Sequence, residues 1–111
     1  MLTVETLRAY GADVDDGIVR CMGNAAFYMK LVDKFLDDTR LDTLEQQIAQ
    51  GDLRAAFETA HALKGMCANL AITPITVPVT EITELLRSGT QTDYSELLVQ
   101  AKTQFEKLRS I

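Results

Sequence analysis

Apolar residues recur at intervals of three and four along nearly the whole chain, and no stretch shows the two-residue alternation of a half-buried strand. This period predicts helices throughout. Val4 and Leu7 mark a short amphipathic turn that ends at Gly11. In the segment from Asp13 to Gly23, the aspartates suit the positive end of a helix and Gly23 suits a left-handed end. Asn24 is placed to cap a run in which Phe27 or Tyr28, Leu31 and Phe35 return at helical spacing. Lys30, Asp33, Lys34 and Asp37 fill its wet side. A further helix over about 41–50 turns Leu41, Leu44 and Ile48 inward.

Gly51 and Asp52 read as the stop of one helix and the cap of the next, a connection short enough to make the two antiparallel neighbours. The helix that follows runs over about 52–72, or ~31 Å at 1.5 Å per residue. Leu53, Ala56, Ala60, Leu63, Cys67 and Leu70 form its seam. The segment 73–89 admits two starts. Thr73 and Pro74 resemble a cap and a first-turn proline, but the ring of Pro78 clashes with the carbonyl of residue 74 in a regular helix. The helix therefore begins near Val77 and Pro78, or begins at 73 and is kinked. Ile82, Leu85 and Leu86 make its inner face, and Ser88-Gly89 ends it. The last helix is predicted over about 92–109, with Tyr94, Leu97, Leu98, Ala101, Phe105 and Leu108 as its stripe and Asp93 with Glu96 as a capping box. No internal repeat or low-complexity tract interrupts the pattern. The expected fold is all-α: an antiparallel four-helix bundle with one or two short additional N-terminal helices, in a single domain over 1–111.

Composition narrows the function. With 47% apolar and 24% charged residues the chain is an ordinary globular sequence and not a disordered one. The net charge is −5 and the 11 basic residues are scattered, so the concentrated basic face that a nucleic-acid partner requires is missing. Cys21 and Cys67 belong to no metal-ligand or redox spacing and suit a reducing compartment as free thiols. No apolar run approaches the ~20 residues that span a bilayer, and the N-terminus lacks the pattern of a secretory signal. A cytoplasmic location without a membrane partner is expected. Met1 and the compact length favour a free-standing domain over a piece of a larger protein.

One position stands out. His61 is the chain's only histidine. On the predicted helix its neighbours at three and four residues are Phe57, Glu58, Lys64 and Gly65, with Ala68 one turn further. The ring is turned roughly 100° from the seam of Ala60 and Leu63, at the edge or surface of the bundle. Gly65 lies inside the helix, where glycine costs ~1 kcal/mol relative to alanine. Together Gly65 and Ala68 remove bulk from the histidine's face and leave room for another protein's backbone. A neutral imidazole is a competent nucleophile towards phosphorus, and Lys64 favours a phosphoryl group once it is attached. Phosphoryl transfer needs chiefly positioning and charge neutralisation. One histidine on a helix supplies neither a metal nor a second catalytic group, so a partner must bring them. Phe57 lies on the same side, as a flank of the core or as part of an apolar docking patch.

The segment Ala60-His61-Ala62-Leu63-Lys64-Gly65-Met66-Cys67-Ala68-Asn69-Leu70 resembles the signature of histidine-containing phosphotransfer (HPt) domains: histidine, leucine, lysine and glycine in order, small residues, then asparagine and an apolar residue. The upstream segment Gly17-Ile18-Val19-Arg20-Cys21-Met22-Gly23-Asn24, followed by Tyr28, Leu31 and Phe35, is also similar. The resemblance covers about residues 11–90. It implies that His61 is the phosphoacceptor, that Lys64 contacts the phosphoryl group, and that Gly65 gives clearance to a response-regulator receiver domain. The receiver would supply the aspartate and the Mg²⁺, the chain having no cofactor of its own. A hybrid sensor histidine kinase is a further partner by the same resemblance, and a monomer is expected because the relay needs His61 accessible. Met66 and Cys67 depart from the small residues usual there, and Ala71 stands where glycine is common.

Blander readings compete. A lone histidine on a helix is often a structural or incidental residue, which would make the chain an adaptor bundle. The dimerisation helices of a sensor kinase also carry a phosphorylatable histidine, but there an acid usually follows it directly, whereas Ala62 follows His61. A metal or haem bundle needs more ligands than one histidine offers. Cys67 reads as a small buried apolar residue. The stripes of Phe27, Leu31, Phe35, Phe105 and Leu108 read as core, and Met22, Met29 and Met66 as gap fillers.

Overall fold

The computed structural model describes residues 2–111. Among the described residues there are seven helices and no strand: α1 (Val4–Tyr10), α2 (Val14–Arg20), α3 (Ala25–Phe35), α4 (Arg40–Ala49), α5 (Leu53–Asn69), α6 (Thr73–Arg87) and α7 (Ser95–Arg109). Helices α4 to α7 run alternately up and down, each against the next, and α7 closes back on α4. This is the expected antiparallel four-helix bundle, preceded by three N-terminal helices rather than one or two, because the Asn24 cap starts α3 as a helix separate from α2. Its interior is filled by Leu44 of α4, Ala56, Ala60, Leu63 and Cys67 of α5, Ile75, Val79, Ile82 and Leu86 of α6, and Leu98, Ala101, Phe105 and Leu108 of α7, all buried. The molecule measures 40 × 26 × 19 Å.

Local chemistry sets most of the helix ends. The α1 helix begins at a reciprocal cap between Thr3 and Thr6 and ends at Gly11, whose φ of 116° only glycine adopts without strain. The side chains of Asp13, Asn24 and Asp52 each accept a hydrogen bond from the backbone three residues on and start α2, α3 and α5. Gly51, at φ 76°, turns the chain between α4 and α5.

The N-terminal helices cross the end of the bundle where α5 gives way to α6. The hydroxyl of Tyr28 donates to the Leu70 carbonyl at 2.9 Å, and the Asp13 amide donates to the Ala71 carbonyl at 2.9 Å. Tyr10 reaches α7 by donating to the Gln104 carbonyl at 2.8 Å. Further along, the rings of Phe35 and Phe105 sit 5.2 Å apart, and Arg109 donates to the Leu36 carbonyl. Gly17 is buried beneath Tyr28: a Cβ there would lie 2.3 Å from Tyr28 Cε1 and 3.0 Å from the Leu70 oxygen. That contact gives the glycine of the upstream segment a physical reason.

Several expectations change. Of its two possible starts α6 takes the earlier, at Thr73, but with Ile72 rather than Thr73 at the cap position and Pro78 buried within it. Starting at 73 places Pro74 in the first turn, where a missing amide costs nothing. The α5 helix ends at Asn69, earlier than 72, because Ala71 takes a left-handed conformation at φ 54°. Asp93 and Glu96 form no capping box; α7 begins at Ser95, and Asp93 accepts from the Ser95 amide in the preceding loop. Between Phe27 and Tyr28, Tyr28 is the buried residue and Phe27 is 46% exposed, so Phe27 is not core. Met22 and Met66 fill no gap, at 94% and 38% exposed. Met22 sits in the turn after α2 at φ 62°, outside the packed helices.

Gly17→Ala should force Tyr28 off Leu70 and lower stability by about 1–3 kcal/mol, the usual range for overpacking. Urea unfolding followed by circular dichroism measures this, and an unchanged midpoint would show that the α2–α3 clasp yields without cost.

Candidate functional site

Helix α5 presents two faces. Ala56, Ala60, Leu63 and Cys67 are buried, which turns His61 and Gly65 to the outside. His61 is exposed, Lys64 and Ala68 are half-buried, and all lie along one side of the helix, as the spacing predicts. Among the described residues, no hydrogen bond or ion pair holds the ring nitrogens of His61 or the ammonium of Lys64.

Gly65 lies open. A Cβ built on it would meet nothing within 4 Å. Unlike Gly17, it answers no packing need inside the chain, yet it carries glycine's full penalty in a helix interior. The backbone at Gly65 is therefore open on the face that carries His61.

Phe57 is half-buried and packs against the core. Its ring lies nearly parallel to that of His61, with centroids 5.7 Å apart and 19° between the planes. The guanidinium of Arg87 lies 5.0 Å from the Phe57 centroid, a cation–π contact. Phe57 thus serves as a platform beneath the imidazole as well as a flank of the core.

Two residues beside the site were not singled out from the sequence. Arg87 and Glu84 come from the last turns of α6, which packs antiparallel to α5. Arg87 Nε donates to Glu84 Oε2 at 2.9 Å. That hydrogen bond is the main force holding the Glu84 carboxyl below its ordinary range, and the charges of Arg87, Lys64 and His61 add to it. No spacing within α5 points to these residues, since they reach the site across a helix–helix seam. The charge around the imidazole thus comes from Glu58 and Lys64 of its own helix and from the Arg87–Glu84 pair of α6.

Cys67, on the buried side of the same helix, has its thiol pushed up to about 12 by burial. It remains a protonated, apolar core residue at neutral pH, consistent with its place on the seam. Both cysteines are free and buried. Among the described residues, no group of three or more His, Cys, Asp and Glu side chains converges as a metal site, and no helix is long and apolar enough to cross a membrane.

The model of the Hpt domain matches residues 30–111, from the middle of α3 to the end of the chain. The chain belongs to the Hpt domain family. The matched span holds the whole four-helix bundle and His61, while the similar upstream segment at 17–24 falls outside it. No curated protein and no solved structure matches the chain. Membership in the Hpt family implies phosphotransfer in two-component signalling, in the part of a carrier rather than a kinase.

If Gly65 answers no need inside the chain, Gly65→Ala should raise stability by about 0.5–1 kcal/mol. A urea midpoint that stays constant or falls would reveal a packing role for this glycine.

Proposed function

We propose that this Hpt domain is a phosphorelay intermediate in which His61 accepts a phosphoryl group and exchanges it with the aspartate of a response-regulator receiver domain. The observation that carries the reading is the exposed imidazole of His61, without a hydrogen-bond partner among the described residues, beside Lys64 and the bare backbone of Gly65.

In the transfer, the lone-pair nitrogen of the neutral imidazole attacks the phosphorus of the receiver's aspartyl phosphate. A nitrogen–phosphorus bond forms as the bond from phosphorus to the aspartyl oxygen breaks, and the aspartate leaves as a carboxylate. The other ring nitrogen keeps its proton. The reverse reaction retraces these steps. The chain's own contribution is position and charge: Phe57 supports the ring, and Lys64 neutralises part of the incoming negative charge. The receiver would supply the Mg²⁺, which would neutralise charge on the phosphoryl group as it moves. Gly65 and Ala68 let the receiver's backbone come close, and the outer edge of Phe57 meets it on the same face.

Incubation with an aspartyl-phosphorylated receiver and Mg²⁺, followed by intact-mass and fragment analysis at alkaline pH, tests this directly. One phosphate on His61 is expected. His61→Gln should keep the helical signal and lose all transfer; transfer that persists in this variant would remove the central claim. Gly65→Leu should slow transfer by about ten- to a hundredfold through misplacement of the partner, with the helix intact. A rate equal to that of the unaltered protein would discard the clearance argument.

A further inference from the structure

The ion pair of Glu84 and Arg87 belongs to an exposed turn of α6, with side chains 53% and 49% accessible. A pair three residues apart on a helix surface contributes only a few tenths of a kcal/mol to the fold. Its place is what sets it apart. Arg87 leans across the α5–α6 seam onto Phe57, the ring on which His61 stacks, so its guanidinium is one ring away from the imidazole. Glu84 accepts a hydrogen bond from the same guanidinium at 2.9 Å.

We propose that Glu84 is a resident competitor anion, which occupies Arg87 in the resting state and contests the site's cations with a phosphoryl group on His61, so that the phosphohistidine remains easy to pass on. The inference rests on the reading of His61 as phosphoacceptor. A phosphoryl group brings about −1.5 to −2 charges and three acceptor oxygens, and it suits the planar guanidinium at least as well as a carboxylate does. Lys64, the nearest cation on α5, serves both anions; its charge helps keep Glu84 ionised. With Glu84 charged, the phosphorylated state bears a like-charge neighbour and gains less from Arg87. The neutral, isosteric glutamine removes the competitor without changing the shape.

The test is the equilibrium ratio of phosphohistidine to aspartyl phosphate, measured with one receiver domain at dilute concentration. This ratio does not depend on how tightly the two proteins dock. Glu84→Gln should shift it towards phosphohistidine by about two- to fivefold, the range that screened surface charges support. Glu84→Asp should stay close to the parent, and Arg87→Gln should shift the ratio towards aspartyl phosphate. The Glu84→Gln effect should shrink as salt is raised. A Glu84→Gln ratio equal to the parent's, or displaced the other way, overturns the proposal while leaving the relay role standing. Loading with phosphoramidate, which needs no receiver, separates the two failures. If His61 of the unaltered protein takes no phosphate from it and none from the receiver, the phosphoacceptor reading fails and this inference falls with it.

Discussion

Burial of the Ala56–Ala60–Leu63–Cys67 stripe orients everything else in the molecule. A helix that commits four residues at this spacing to the core has no rotational freedom left. His61, one residue beyond Ala60, is then carried to the outside together with Gly65. Two of the four buried residues are alanines, which allow neighbouring helices to approach closely. That approach brings the end of α6 beside His61, so that the packing of the core and the charge of the site follow from the same stripe.

The corner between α5 and α6 is the second point on which the architecture turns. Ala71 adopts φ 54° there, a conformation that costs an L-residue about 1–2 kcal/mol and that glycine takes freely. Glycine is common at this place in the resembling family, and alanine stands here. The N-terminal helices hold the corner from outside: Asp13 donates to the Ala71 carbonyl, and Tyr28, seated over Gly17, donates to the carbonyl of Leu70. Two hydrogen bonds and a close ring contact over-determine the turn that glycine would otherwise make on its own.

The chain is acidic as a whole, at −5, yet it is read as a carrier of a dianionic group. At physiological salt, charges more than about 8 Å away are largely screened. What a phosphoryl group on His61 would meet is therefore Glu58 and Lys64 of α5 with Glu84 and Arg87 of α6, and not the net charge. Two cations and two carboxylates from two helices set the local field, and their balance is close to even. Such a site suits a group that must be bound and then released.

Much of this was readable in the residues. The bundle, the Gly51–Asp52 connection, the cap at Asn24, and the shared face of His61, Lys64, Gly65 and Ala68 all depend on the period of a single helix or on the chemistry of a single turn, and both act within a few residues of sequence. The errors share a cause as well. Phe27 and Tyr28 are adjacent and equally apolar, and only the cleft over Gly17 decided which one is buried. Asp93 and Glu96 had the spacing of a capping box, but burial of Tyr94, whose hydroxyl donates back to the Thr90 carbonyl, delays the helix to Ser95. Arg87 and Glu84 lie more than twenty residues from His61, and nothing in the pattern of α6 marks them out. Helical geometry is local, so the order of residues in α5 already places Lys64, Gly65 and Ala68 on one face with the histidine. What stands opposite that face was not legible there, because the pairing of one helix surface with another is settled by the packing of the whole core.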